Sequence, residues 1–294
     1  MNSNPHFQGY NIAVVAHQLR AEATLKKAQE LLAEKGIRIL VLKGPHLGNT
    51  VYDSPADRLY GDLDVLVRSV DFESSVNALL ENGFQPFAYN TFAPQIQRDF
   101  KHWEFRSPLG IVVELHRWLS GHDRYTVDMD GLFARAESFR FGGVDALGLA
   151  PEDLLLHLCL HMGTSYFSVI ERKHIRDIAL LIRKRPIAWP VFLRRTGRAG
   201  ARAIAYYSLL AAKKQDSASI PDEVMKTLCP MRARRWWIEK HVDAASFPVY
   251  RFPEHSMKRI KKGLLFPLMD KPGQWLKFVW RIGVLRIKSR RNTR

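Results

Sequence analysis

The sequence predicts an α+β fold, with a small mixed sheet covered by helices on one side and a helical region after it. Three observations predict this class. Short runs rich in Ile, Val and Leu, typical of strands, fall between residues 37 and 117. Apolar residues at helical spacing precede these runs and separate them. After about residue 145 only the helical spacing remains, and we find no internal repeat.

The elements of the predicted core follow from the spacing of apolar residues and from the residues that typically begin or end a helix. Gly36 is a candidate C-cap for the first helix, Asp71 is a candidate N-cap for the second, and Gly83 ends that helix. In chain order we predict a helix (15–35), a strand (37–42), a loop or short helix (45–60), a strand (62–68), a helix (71–82) and a hairpin (100–106 with 111–117).

The helical region begins at Pro151-Glu152-Asp153, because proline and acids are favoured in the first turn of a helix. Further helices are predicted at 168–184, near 188–212 and near 221–240. We therefore expect a catalytic domain over residues 1–145, a helical domain over 146–250 and a separate C-terminal tail over 251–294.

The strand at 62–68 carries two acids at its start, Asp62 and Asp64. Side chains two residues apart in a strand share a face, so these carboxylates lie side by side and repel each other. A hard divalent ion such as Mg²⁺ relieves that repulsion, particularly when substrate phosphates complete its coordination. Such a metal site would indicate phosphoryl or nucleotidyl transfer, but this pattern alone leaves open the alternative of a strand entered through a polar turn.

Glu114 and His116 share one face of the later strand by the same rule. An acid within an apolar strand is unfavourable unless a partner binds it. If the two strands are neighbours, Glu114 joins Asp62 and Asp64 as the third carboxylate of a two-metal site. The alternative is a structural ion pair between Glu114 and an arginine, either Arg58 or Arg106.

The first strand ends in Lys43-Gly44. Glycine allows a ligand to approach the backbone closely, and lysine is a point charge that suits a phosphate. A Lys-Gly pair alone is a weak indication of a phosphate site. It gains weight here because the first strand, a turn and the double-Asp strand occur in that order.

These motifs together resemble the uncharacterised nucleotidyltransferase family of bacterial proteins, within the superfamily that includes DNA polymerase beta. The likeness covers roughly residues 15–200 and implies a polymerase-beta-like core. Its motifs in this chain are Leu42-Lys43-Gly44, Tyr52, Arg58-Leu-Tyr-Gly61-Asp62-Leu-Asp64, Val113-Glu114-Leu115-His116, Pro151 to His157, His161 and Arg176-Asp177.

The resemblance implies transfer of NMP from an NTP to an acceptor hydroxyl, with two Mg²⁺ ions at Asp62, Asp64 and Glu114. Many superfamily members have Gly-Ser after the first strand, whereas this chain has Gly44-Pro45, so backbone amides or Lys43 must bind the phosphate. The implied nucleotide-binding residues are Lys43, Gly44, Arg58, Gly61 and His116, and the implied acceptor-binding residues are His161 and Asp177.

His157 and His161 also share a helix face by their spacing of four. Zinc needs a third protein ligand, and none has a telling spacing here. The alternatives are a buried face of hydrogen-bonded histidines and, for His161, a position that contacts the substrate.

Charge is concentrated in the tail, where residues 251–294 contain 13 Lys and Arg against two acids in a chain of net charge +16. Residues 274–291 have the pattern of a basic, Trp-containing amphipathic helix. Peripheral binding to an anionic membrane, docking on the chain's own helical domain and nucleic-acid binding remain alternatives.

The competing functions are an RNA-binding or RNA-modifying protein and a catalytically silent nucleotide-binding module.

Cysteine usage and the N-terminus predict a cytoplasmic location. The chain has two cysteines, too few for a disulfide framework, and residues 1–9 lack an apolar signal core. The tail adds a possible location at the inner face of the membrane.

Overall fold

The computed structural model describes residues 12–87, 102–120, 124–164, 172–241, 269–271, 273–274 and 276. These residues form two compact units. The first contains the described residues up to Arg117 together with 133–149, and the second contains the described residues of 118–132 and those from 150 onward.

The first unit is a mixed sheet with a long helix before its first strand and shorter helices between later strands. Its helices are α1 (Ile12–Ala33), α2 (Gly44–Thr50) and α3 (Phe72–Glu81). Its strands are β1 (Leu40–Val41), β2 (Asp62–Leu66), β3 (Gln85–Pro86), β4 (His102–Arg106), β5 (Val112–His116), β6 (Glu137–Phe141) and β7 (Val144–Gly148).

Within the described residues the strand order is β3-β4-β5-β2-β1-β7-β6. β2 pairs with β5 in parallel and with β1 antiparallel, so the predicted mixed sheet is confirmed. One face of the sheet is apolar and packs on α1 and α3 in a single core cluster. That cluster includes Leu25, Leu32, Leu63, Val65, Phe72, Leu79, Val113 and Leu115.

Most local predictions match these bounds, and the differences have physical reasons. The predicted strand at 37–42 is regular only at Leu40–Val41, the two residues in register with β2, although Leu42 N still donates to Asp64 O at 3.1 Å. Asp71 occupies the N-cap of α3, but its side chain makes no capping hydrogen bond. The hairpin of β4 and β5 closes through Ser107–Gly110, as predicted.

The hairpin of β6 and β7 was not predicted, although the sequence carries a signal for it. Two alternating runs flank the two-residue loop Gly142-Gly143, a typical hairpin connection. β7 also pairs in parallel with β1 through Val41 and Gly148, which makes the sheet wider than expected.

Gly148 leaves space for the buried ring of His46. A Cβ atom added at Gly148 would lie 2.4 Å from Nε2 of that ring. We expect Gly148→Ala to lower the free energy of unfolding by about 1–3 kcal/mol, the range of overpacked cores. Thermal unfolding measures the change. Gly61→Ala is the matched control, because a Cβ there meets no atom within 4 Å; equal losses in both variants would contradict the packing explanation.

The second unit consists of helices. They are α4 (Met129–Ala134, whose last two residues belong to the first unit), α5 (Pro151–Thr164), α6 (Arg172–Lys184), α7 (Trp189–Ala199), α8 (Arg202–Gln215), α9 (Asp222–Leu228) and α10 (Arg232–His241). None of the helices in the described part of the chain has both the length and the apolarity needed to cross a membrane.

Two ranges predicted as helical are each divided into two helices. Gly200 ends α7 in the left-handed conformation, with φ of 70°, which glycine adopts without steric cost. Cys229-Pro230 separates α9 from α10, because proline cannot continue the hydrogen bonding of the preceding helix.

The few described residues of the tail pack on the second unit. The Asp270 carboxylate accepts hydrogen bonds from the Arg202 and Ala203 amides at the start of α8 and pairs with Arg234 at 2.8 Å. Gln274 Nε2 donates to Ala199 O at 2.8 Å. The amphipathic helix predicted for 274–291 lies almost entirely outside the described residues.

Candidate active site

The parallel pairing of β2 and β5 brings three predicted acids to one face of the sheet. Asp64 lies opposite Glu114 in the register, and Asp62 lies one step along the same face of β2. Leu63 and Val65, which alternate with these acids along β2, are buried in the core on the other face. The carboxylates therefore cluster because the apolar alternation of each strand fixes which face they take.

His116 lies between two of these acids. Its Nε2 atom is 3.0 Å from Asp64 Oδ1 and 3.1 Å from Glu114 Oε2, and its ring is fully buried. A single imidazole nitrogen thus holds two carboxylates together, at the position where a cation would relieve their repulsion.

Lys43 is a second partner of Asp64 and carries a positive charge. The residue follows β1, whose antiparallel pairing with β2 directs it toward Asp64, and its Nζ lies 3.0 Å from Asp64 Oδ1. Burial alone would lower the pKa of Lys43, but Asp64, Glu114 and Asp62 outweigh it and raise the pKa. In this structure the ammonium neutralises Asp64, and its predicted contact with a phosphate stays a prediction.

The three acids differ in their affinity for protons. Burial alone would raise the pKa of Asp64, but Lys43 and His116 hold it well below the usual range. Burial likewise opposes ionisation of Glu114, yet the hydrogen bond with His116 leaves its pKa lowered. At Asp62, burial and then repulsion from Asp64 and Glu114 raise the pKa to about 6. The positive charge near Asp62 is therefore too small to offset its burial and the repulsion from the other two acids.

The remaining predicted nucleotide-binding residues lie on the segments around these strands. Gly44 begins α2 with φ of 36°, and a Cβ added there would lie 3.1 Å from the Tyr60 ring. Arg58 is buried and its Nη1 donates to Leu59 O at 2.6 Å. Gly61 directly precedes β2 and borders open space. Their contacts with a nucleotide stay predictions.

His161 and Asp177, the predicted acceptor-binding residues, belong to the second unit. His161 lies on α5, where its ring is 5.0 Å from the His174 ring and 6.4 Å from the His157 ring, centroid to centroid. Asp177 is fully buried on α6. The structure thus places these two residues in a different unit from the acids, and their role stays a prediction.

Two polar residues beside the acids, His102 and Glu104 on β4, are not among the predicted site residues. They lie opposite His116 and Glu114 in the antiparallel register, and His102 Nε2 is 3.8 Å from Glu114 Oε2. The sequence contains a pattern that could have predicted them, because His-x-Glu in β4 mirrors Glu-x-His in β5 across the hairpin turn. His102, Glu114 and His116 form a cluster with the composition of a metal site.

Comparison with known proteins identifies one family. The profile of a family described as "uncharacterised nucleotidyltransferase" matches residues 2–215. No curated protein matches the chain. A solved structure, titled "Crystal structure of an antigenic nucleotidyltransferase-like protein from Paracoccidioides brasiliensis", is similar over 71% of this chain and 92% of that chain, with 16% sequence identity and a TM-score of 0.43.

Proposed function

Because the chain belongs to the uncharacterised nucleotidyltransferase family, we propose that it transfers a nucleoside monophosphate from an NTP to the hydroxyl group of an acceptor and releases pyrophosphate. The observation that carries this proposal is the alignment of Asp64 with Glu114 on neighbouring parallel strands, with Asp62 on the same face. Family membership by itself supports a nucleotidyltransferase, and the acid cluster supplies the chemistry.

The acid cluster fits the Mg²⁺ ions that such transfer requires. Carboxylate oxygens are the ligands Mg²⁺ prefers, and Asp62, Asp64 and Glu114 offer them on one face. The Lys43 ammonium already meets Asp64 there, which supports a site that attracts positive charge. When bound, two Mg²⁺ ions would neutralise the charge that develops on the reacting phosphoryl group.

The reaction is an in-line displacement. The acceptor oxygen forms a bond to the α-phosphorus as the bond from that phosphorus to the bridging oxygen of pyrophosphate breaks. The hydroxyl proton passes to a carboxylate of the site. Glu114 positions the acceptor hydroxyl, and most of the rate enhancement comes from positioning and charge neutralisation.

Lys43 and His116 are the proposed nucleotide-binding residues beside the acids. Lys43 would offer its ammonium to a phosphate of the NTP, and His116 holds the carboxylates in place through its contacts at 3.0 and 3.1 Å. The other proposed nucleotide contacts are Gly44, Arg58 and Gly61. His161 and Asp177 are proposed to bind the acceptor, which assigns acceptor choice to the helical region at 146–250.

A second candidate function has one supporting observation. Trp236 is 61% exposed on α10, a helix that also carries Arg232, Arg234 and Arg235. An exposed aromatic ring among arginines suits stacking on a base of single-stranded RNA. Salt-sensitive RNA binding that is lost in Trp236→Ala, without any NTP turnover, would favour this function over transfer.

The transfer reaction is tested by the position of a radioactive label. We expect purified protein, given Mg²⁺, a cell extract and each NTP in turn, to label an acceptor from α-³²P NTP but not from γ-³²P NTP. The γ-phosphate leaves with pyrophosphate, so it serves as the internal control. Labelling from the γ position would instead identify a phosphotransferase, and no labelling from either would reject transfer.

A further inference from the structure

The histidine pair on β4 and β5 gives the acid cluster a feature that an oxygen-only Mg²⁺ site does not need. His102 and His116 lie opposite each other in the antiparallel register, with ring centroids 4.8 Å apart. Glu114 lies on the same face of β5 as His116, since the two residues are two positions apart. Two imidazoles and a carboxylate therefore converge on one point of the sheet.

The distances within this group resemble those between neighbouring ligands of one metal ion. Ligand atoms lie about 3.0 Å apart around an octahedral ion and about 3.4 Å apart around tetrahedral Zn²⁺. Glu114 Oε2 is 3.1 Å from His116 Nε2 and 3.8 Å from His102 Nε2. One ligand atom from each of the three residues lies within 4.8 Å of the others.

Neighbouring acids add negative charge to this group, and two of its side chains are accessible to solvent. Glu104 Oε1 is 3.6 Å from His102 Nε2, and Asp64 Oδ1 is 3.0 Å from His116 Nε2. His116 is fully buried and so is fixed in place, whereas the side chains of His102 and Glu114 are 30% and 19% exposed. An ion can therefore enter from the side of His102 and keep a coordination position for substrate or water.

The ligand types select the class of ion. Mg²⁺ binds oxygen almost exclusively, whereas imidazole nitrogen suits Zn²⁺ and the other first-row transition metals. Two histidines with one glutamate are the protein ligands of known catalytic zinc sites. We propose that His102, Glu114 and His116 form a binding site for one divalent transition-metal ion of the Zn²⁺ class, chemically distinct from the oxygen-only position at Asp62 and Asp64. This site shares Glu114 with the proposed transfer site but does not depend on nucleotide turnover.

The test measures Zn²⁺ binding without nucleotide. Metal-free full-length protein is titrated with Zn²⁺ against a chromophoric chelator, with millimolar Mg²⁺ present to occupy the oxygen-only position. We expect one tight Zn²⁺ per chain. Loss of outer-shell partners already weakens metal binding by about 10–100-fold, so removal of a ligand in His102→Ala should weaken it by about 100-fold or more.

Two further variants keep the test decisive. His17→Ala is the matched control, because His17 lies on α1 in the same unit, beside Tyr60 rather than in the cluster. His102→Phe retains a ring against His116 but offers no ligand atom, so it must lose Zn²⁺ as His102→Ala does even if the alanine variant folds poorly. Bound Co²⁺ should give visible absorption bands in the wild type and in His17→Ala, and lose them in both His102 variants.

Unchanged Zn²⁺ affinity in the His102 variants, or an equal loss in His17→Ala, would overturn the proposal. The two proposals fail in different ways. Zinc binding that depends on His102 in a protein without nucleotidyl transfer refutes the transfer function alone. If transfer is normal and Zn²⁺ affinity is unchanged in the His102 variants, the transition-metal site alone is refuted.

Discussion

Replacing Asp64 with asparagine should lower nucleotidyl transfer by about 10³-fold or more. Asp64 contacts Lys43 Nζ and His116 Nε2, both at 3.0 Å, and faces Glu114 across the strand pair. Asparagine keeps the shape but removes the charge that would hold the metal. A metal contributes several kcal/mol of transition-state stabilisation, and about 4 kcal/mol corresponds to about 10³-fold in rate.

The same change should also destabilise the protein. Asp64 has a folded pKa well below its ordinary value, so its ionisation stabilises the fold above the unfolded pKa near 4. That contribution is lost as the pH falls below the unfolded value toward the folded one. Breaking a buried ion pair typically costs about 3–5 kcal/mol, and the residual attraction of Lys43 to Glu114 and Asp62 places the expected loss near the lower end.

Transfer of α-label and thermal unfolding at neutral pH measure the two effects. Asp145→Asn is the matched control, because that aspartate is 83% exposed and its ion pair with Arg140 is a surface pair of little energetic value. Near-normal turnover in Asp64→Asn would place the active site elsewhere in the chain.

Replacing Asp62 with asparagine should have the opposite effect on stability, although the two acids are two residues apart. Burial and repulsion from Asp64 and Glu114 raise the pKa of Asp62 to about 6, above its unfolded value near 4. The folded protein therefore binds this proton more tightly than the unfolded chain does. Ionised Asp62 then destabilises the fold by up to about 3 kcal/mol above pH 6, and this penalty disappears as the pH falls toward 4.

We therefore expect metal-free Asp62→Asn to melt several degrees above the wild type at pH 7.5, since 1 kcal/mol corresponds to about 2–4 °C in a chain of this size class. The gain should shrink between pH 6 and pH 4. Mg²⁺ should raise the melting temperature of the wild type and not of Asp62→Asn, and the variant should have lost its transfer activity. A lower melting temperature for Asp62→Asn at pH 7.5 would mean that Asp62 already has sufficient positive charge.

The Asp62 and Asp64 predictions separate two residues that the sequence presents as equivalent. Both are aspartates on one face of one strand, and a pattern of period two treats them alike. The structure distinguishes them because Lys43 and His116 both reach Asp64. The pKa of Asp62 is raised and that of Asp64 is lowered because of residues far away in the sequence.

Local chemistry explains why much of the fold was predictable. The helix at 12–33, the hairpin through 107–110 and the start of α5 at Pro151 all depend on residues close together in the chain. The missed hairpin at 137–148 carried the same kind of signal in Gly142-Gly143. Strand β1 was predicted too long, because its length depends on how many residues find partners in β2.

The sequence by itself determined which side chains share a face, the residue types that suit Mg²⁺ and the resemblance to the nucleotidyltransferase family. These properties follow from backbone periodicity and ligand chemistry, which need no knowledge of distant contacts. Only the tertiary structure decided that Glu114 stands beside Asp64, that Lys43 neutralises Asp64 and that His102 joins His116. Each of these depends on strand pairing between segments many residues apart, and strand register is set by burial of the whole apolar face rather than by neighbours in sequence.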